Sequence, residues 1–230
     1  MAHDSHDDGD DQSSDSSTSR RGFLAGAAGV AAAVGAPAVL DTASAQQSGR
    51  SDIEILNYAL TLEHLENEFY KEYLSEFSER DFQRSELLED FGFGTRFTAR
   101  DYIRDTQEHE QAHVDFLTTA ISDNGGTPVG PAQEYDFAAP LGKDDIETVE
   151  EFTAVAQVLE STGVDAYAGA APEISNAAFI PPALEIHSVE ANHAAFYRHL
   201  NGENPAPTAF NGAKSISTVL GIVDPIIVQQ

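Results

Sequence analysis

Gln107-Glu108-His109-Glu110-Gln111-Ala112-His113 and its echo Val189-Glu190-Ala191-Asn192-His193 decide how this chain is read. Each holds a Glu-x-x-His, Glu110 with His113 and Glu190 with His193, and each continues to a phenylalanine three residues after the histidine, Phe116 and Phe196. On an α-helix, residues three apart lie about 60° apart around the axis and one turn along it. A carboxylate oxygen and an imidazole nitrogen from one such pair can therefore reach a single metal ion from the same face. One pair alone is weak evidence in a glutamate-rich chain, so the surrounding pattern has to carry the reading.

That pattern is helical and repeated. Ser51-Asp52 opens an expected helix over about residues 53–77, whose inner seam is Leu56, Leu60, Glu63, Asn67, Tyr70, Leu74 and Phe77: apolar except for one carboxylate and one amide. A second helix, about 98–121, has Glu110 and His113 on a seam with Ile103, Thr106 and Leu117. The third, about 144–170 with Asp144-Asp145 at its start, carries Glu160, Gly163 and Tyr167 between Thr153 and Ala170. The fourth, about 182–200, aligns Ile186, Glu190, His193, Tyr197 and Leu200 before Asn201-Gly202. Residues 78–95 read as a loop with room for a helical turn. Residues 127–143 are longer than antiparallel neighbours need, which predicts a crossover along the bundle. Residues 201–230 end in an apolar tail expected to pack along it.

The halves of the chain match. Ala59-x-x-Leu62-Glu63-x-x-x-x-Glu68-x-Tyr70 corresponds to Ala156-x-x-Leu159-Glu160-x-x-x-x-Asp165-x-Tyr167, and Glu110-x-x-His113-x-x-Phe116 to Glu190-x-x-His193-x-x-Phe196. The order is Glu, Glu-x-x-His, Glu, Glu-x-x-His, one element per helix. Four glutamates facing one interior repel each other and are costly to bury without a cation. No lysine or arginine occurs from Asp144 through Tyr197, and none lies on the four seams. Two divalent ions would cancel the four charges, and two imidazoles would complete their shells. Oxygen and nitrogen donors favour iron or manganese over zinc or copper(I).

The composition narrows the rest. The chain has 230 residues, 39 acidic against 12 basic side chains, and no cysteine. So acidic a surface excludes nucleic acid and anionic membranes as partners and is what adaptation to high salt produces. The lack of cysteine excludes disulfides, thiolate sites and iron–sulfur clusters. Ser19-Arg20-Arg21-Gly22-Phe23-Leu24, a weakly apolar run to Leu40, and Ala43-Ser44-Ala45 read as a twin-arginine export signal over residues 1–45. A short linker, 46–51, follows. The expected location is extracellular or at the cell surface, with membrane anchoring if the signal stays uncleaved.

With these residues in view, the chain resembles the ferritin-like, di-metal carboxylate superfamily. More narrowly it is similar to exported ferritin-like domain proteins of the desiccation-related type, over about residues 52–200. The resemblance implies an all-α four-helix bundle with one long crossover between helices two and three. It implies two Fe or two Mn ions, with Glu63 and Glu160 as terminal ligands, Glu110 and Glu190 bridging, and His113 and His193 on one ion each. Tyr70, with Tyr167 as its repeat partner, matches a catalytic tyrosine of ferroxidases. The activity so implied is metal oxidation by dioxygen or peroxide, or dimanganese peroxide disproportionation. The alternative is a stress-protective or structural bundle that holds metal without turnover. A third reading, iron storage in a shell, implies a large hollow homo-oligomer. Among other residues, Glu66, His64 and His109 fall off the seams and are expected at the surface, the histidines at best touching the ligands. His187 is placed either to orient Glu190 or to stay uncoordinated, and Phe69, Tyr73, Phe116 and Phe196 are expected to pack the core.

Overall fold

A computed structural model describes residues 49–229; residues 1–45, expected to be an export signal, lie outside the described residues. Among the described residues are six α-helices: α1 Asp52–Glu76, α2 Glu79–Arg84, α3 Phe93–Asp123, α4 Val149–Ala170, α5 Ile180–Leu200 and α6 Ile216–Val223. Helices α1, α3, α4 and α5 form the expected bundle, with the crossover between α3 and α4. Asn67 on α1 bonds Gln111 and Gln107 on α3, at 3.1 and 2.9 Å, and Arg100 nearer the start of α3 reaches Leu74 and Phe77 at the end of α1, so these two helices run antiparallel. On the other side Asn201 after α5 reaches Thr153 and Gln157 of α4, while Arg198 reaches Ser161, giving a second antiparallel pair. The polar residue that interrupts the α1 seam, Asn67, is 1 % exposed and is satisfied by its neighbour helix.

The caps show why the helices start where they do. Ser51 and Glu54 form a capping box at α1, and Thr148 and Glu151 form the same box at α4. The expected start of α4 at Asp144 is therefore corrected to Val149. Glu151 takes the N–H groups of Glu147 and Thr148, and the preceding Ile146 is buried as connecting chain. Helix α3 begins five residues earlier than expected, at Phe93. Its first turns are used: Phe93 stacks on Phe97 at 4.4 Å, and the Arg100 guanidinium donates to the carbonyls of Leu74 and Phe77 at the end of α1. Between them the expected loop holds α2, capped by Ser78 and Asp81, and buries Phe82 and Leu88.

The crossover is tied to α1. Asn57 bonds Thr127 and Val129, and His64 reaches the Val129 carbonyl at 3.2 Å. Further on, β1 (Glu134–Tyr135) pairs antiparallel with β2 (Ile227–Gln229), two short strands that periodicity did not suggest. The apolar C-terminal segment thus packs on the bundle as an ordered helix and strand, with Ile216, Val219, Val223 and Ile226 buried. Its path demands glycine at one point: a Cβ on Gly169 would lie 1.8 Å from the Lys214 carbonyl oxygen. Along the inner seams, a larger apolar cluster around Phe69, Tyr70, Phe152 and Tyr197 is separated from a smaller one, with Leu56, Leu60, Leu117 and Ile186, by a polar layer.

Candidate metal centre

That layer is made of the seam glutamates. Glu63, Glu110, Glu160 and Glu190 are each 0 % exposed, and His113 and His193 are 8 % and 6 % exposed. The structure brings all six together in two overlapping quartets. Glu63, Glu110, His113 and Glu190 form one; Glu110, Glu160, Glu190 and His193 form the other; each offers four donor atoms within 4.8 Å of one another. Glu110 and Glu190 belong to both, while Glu63 and Glu160 each belong to one.

Within the first quartet, His113 Nδ1 lies 3.0 Å from Glu63 Oε2, 3.1 Å from Glu110 Oε2 and 3.4 Å from Glu190 Oε1. In the second, His193 Nδ1 lies 3.2 Å from Glu160 Oε2 and 3.0 Å from Glu110 Oε1. The outer carboxylates are held across the bundle by tyrosines of the opposite half: the Tyr70 hydroxyl donates to Glu160, and the Tyr167 hydroxyl donates to Glu63. The contact between His193 and Glu110 lacks hydrogen-bond alignment. Glu110 Oε1 and both Glu190 oxygens are buried with no hydrogen-bond partner.

Orphaned carboxylate oxygens at this depth test whether a cation fits, because an unpaired buried charge is among the costliest features a fold can hold. The donor set passes. Burial, then the Glu110 and Glu160 charges, push the Glu190 carboxyl well above its usual range. Burial also raises Glu110 to about 7 against the lowering effect of the two neighbouring histidines. For Glu63, burial acts upward, but the hydrogen bond and charge of His113 outweigh it and hold the group below normal. Burial would lower both histidines; the surrounding carboxylates instead raise His113, and raise His193 to about 11. The two histidines are thus the layer's own groups able to carry positive charge against the four carboxylates.

Several residues stand elsewhere than expected. Glu66 is 3 % exposed rather than at the surface, and burial with the Glu190 and Glu160 charges raises its carboxyl well above the ordinary range. It converges with Glu190 over Gly163: a Cβ there would meet Glu190 Oε2 at 2.7 Å and Glu66 Oε1 at 3.1 Å. The repeat carried this signal, since the position equivalent to Glu66 is Gly163, a missing side chain opposite an added one. His64 is 8 % exposed, buried by the crossover. His109 is exposed, but its Nδ1 lies 3.0 Å from His193 Nε2, with the rings stacked at 5.2 Å, so it can fix the imidazole whose Nδ1 faces the carboxylates. His187 makes no bond to Glu190, and its Nε2 is buried without a partner. Phe69 and Tyr73 pack the core and Phe196 is half-buried; Phe116 is 41 % exposed, because α3 turns that face outward.

A bundle of this kind, with a buried Glu/His layer from four helices, defines the class of ferritin-like carboxylate proteins. The family model described as Ferritin-like domain matches residues 51–203, and the chain belongs to that family. Among solved structures it is similar to the conserved hypothetical protein rv2844 from Mycobacterium tuberculosis, at 19 % identity and a TM-score of 0.50. That match covers 69 % of this chain and 96 % of the other, and it bears on the fold alone. No curated protein matches the sequence.

Proposed function

We propose that the chain binds two divalent metal ions, iron or manganese, in the carboxylate layer and serves in metal oxidation or in protection against peroxide, outside the cell. The observation that carries this reading is the pair of shared glutamates. Glu110 and Glu190 enter both quartets yet keep three buried oxygens without a hydrogen bond. In this reading Glu63 and His113 complete one shell, Glu160 and His193 the other, and the two shared carboxylates bridge. Iron bound there would supply one-electron redox chemistry. Tyr70 and Tyr167 hold the outer carboxylates in place, and His109 holds the His193 ring. Glu66 brings a fifth carboxylate to one side of the layer. Secretion rests on the paired arginines and small-residue cleavage pattern of residues 1–45, which suit export of an already folded and loaded protein.

Elemental analysis of the purified full chain, together with aerobic oxidation of added Fe(II), tests the reading. Two ions per chain and saturable oxidation are expected. Glu110→Ala and His193→Ala should abolish oxidation while leaving the helical signal in place. Oxidation that survives in both variants would defeat the proposal, and bound metal with neither Fe(II) oxidation nor peroxide disproportionation would leave only the non-enzymatic alternative.

A further inference from the structure

The layer has two apolar ends, and only one is filled. On α1, Phe69 and Tyr73 are 0 % and 3 % exposed, and on α3, Ile103 is 0 % exposed. The residues equivalent by repeat at the other end are Ala166, Ala170 and Ala183, and all three line a cavity of about 30 Å³. Tyr167 also lines it, and the same tyrosine's hydroxyl donates to Glu63. Tyr167 thus borders both the cavity and the carboxylates. Phe116, which also lines it, is 41 % exposed, so one wall of the cavity is a residue that meets solvent.

We infer that this cavity takes up dioxygen and delivers it to the carboxylate layer past Tyr167, so that the centre's oxidant is apolar dioxygen rather than hydrogen peroxide. The inference rests on the oxidative reading above. Holding a water needs roughly 10–15 Å³ and two to four polar partners. Here the space is sufficient but the partners are missing. The Tyr167 hydroxyl is committed to Glu63, and Tyr58, which also lines the cavity, has one buried unpartnered hydroxyl. Apolar cavities stay dry and take up apolar gases and small hydrocarbons. Peroxide would have to shed its hydrogen bonds to cross such a lining. The slightly exposed His113 and His193 and the exposed His109 give the layer a polar side nearer to solvent.

The reactions balance with iron as substrate. Two ferrous ions each give up one electron, and dioxygen takes both electrons and two protons to leave as hydrogen peroxide. With peroxide as oxidant, two ferrous ions reduce it, with two protons, to two waters.

Xenon exchange NMR on the full chain, and Fe(II) oxidation timed separately with dioxygen and with peroxide, test the inference. Ala170→Phe fills the cavity, and Ala183→Ile supplies the side chain its repeat partner already has; the second decides if the first does not fold. One xenon site is expected in the parent and none in the variant. Dioxygen-driven oxidation should slow about tenfold, the effect of ~1.4 kcal/mol on a barrier. Peroxide-driven oxidation and metal stoichiometry should be unchanged. Absence of xenon from the parent, an unchanged dioxygen rate in a filled variant, or equal slowing with both oxidants would each overturn it. If the parent oxidises iron with neither oxidant, the function proposed above fails, and the xenon result still reports on the cavity.

Discussion

Helices α1 and α4 share a pattern at a few key positions and differ at most others, and the differences show how one pattern serves two purposes. They agree at Ser51 and Thr148, Glu54 and Glu151, Glu63 and Glu160, and Tyr70 and Tyr167, the residues that start each helix and hold the polar layer. They disagree at Glu66 and Gly163, Asn67 and Val164, Phe69 and Ala166, and Tyr73 and Ala170. The agreements keep the Glu/His layer close to two-fold symmetric. The disagreements make it lopsided, with an added carboxylate where the partner helix has no side chain, and solid packing at one end against a cavity at the other. Repetition built the layer, and divergence gave its two sides different surroundings.

The largest expected effect separates shared from unshared ligands. Glu110→Ala or Glu190→Ala removes a donor from both quartets and should eliminate metal from the purified chain, whereas Glu63→Ala or Glu160→Ala should retain one ion per chain. Atomic emission against protein concentration reads this directly; equal loss from all four variants would break the two-shell symmetry. Next comes the asymmetry itself. Gly163→Ala places a methyl 2.7 Å from Glu190 Oε2 and 3.1 Å from Glu66 Oε1. Overpacking of this kind costs about 1–3 kcal/mol, and displacing Glu190 should weaken metal binding as well. In a double-mutant cycle, Glu66→Ala should relieve part of that cost, since the two share one space. Strict additivity of the melting shifts would show that Glu66 and Gly163 are unrelated substitutions.

Protons sharpen the comparison further, because each side of the layer has its own histidine. Metal requires neutral imidazole and ionised carboxylate. Burial opposes protonation of His193, yet Glu160 and Glu110 raise it to about 11, while burial raises Glu110 to about 7. Ions therefore displace protons, and apparent affinity should fall as pH drops through neutrality, about tenfold per pH unit for each proton displaced. Calorimetry in buffers of different ionisation enthalpy counts these protons. More than one per chain is expected, and one fewer in His113→Ala. A pH-independent affinity would mean that the histidines are not ligands.

Much of this was legible in the sequence, for identifiable reasons. Seam glutamates 63, 110, 160 and 190 could be placed because helical periodicity fixes which face a residue occupies, and a repeat fixes which residues share a level. Glu66 was misplaced because one seam was treated as the whole interior. A four-helix bundle buries a wider stripe than that, and Gly163 opens space for one more side chain. His64 was misplaced because a loop distant in sequence, at Val129, covers it. The start of α3 at Phe93 was hidden by Gly92 and Gly94, which read as breakers until Arg100 is seen capping the end of α1. The strand pair that joins the crossover to the C-terminus had no local signal at all, for pairing over that separation is set by tertiary contact.

The smallest expected effect asks whether the repeat extends to energetics at the caps. Ser51→Ala and Thr148→Ala each remove a side chain that accepts the N–H three residues on, a loss of typically ~1 kcal/mol at Glu54 and Glu151 respectively. Hydrogen bonds to Ser51 hold Glu54 below its ordinary pKa, and Lys143 with the Glu147 N–H does the same for Glu151. A carboxyl depressed in the folded state stabilises it above the unfolded pKa, and that contribution fades as pH falls through the folded value. Ser51→Ala should therefore differ from the parent most at neutral pH and lose part of that difference in acid, as read by chemical denaturation. The convergence should be smaller for Thr148→Ala, because the Ser51 hydroxyl itself donates to the Glu54 carboxylate, whereas Glu151 is held by Lys143 and by backbone N–H groups that Thr148→Ala leaves in place. Equal convergence would mean that the Ser51 hydroxyl adds nothing to the Glu54 carboxylate, as an exposed contact would behave.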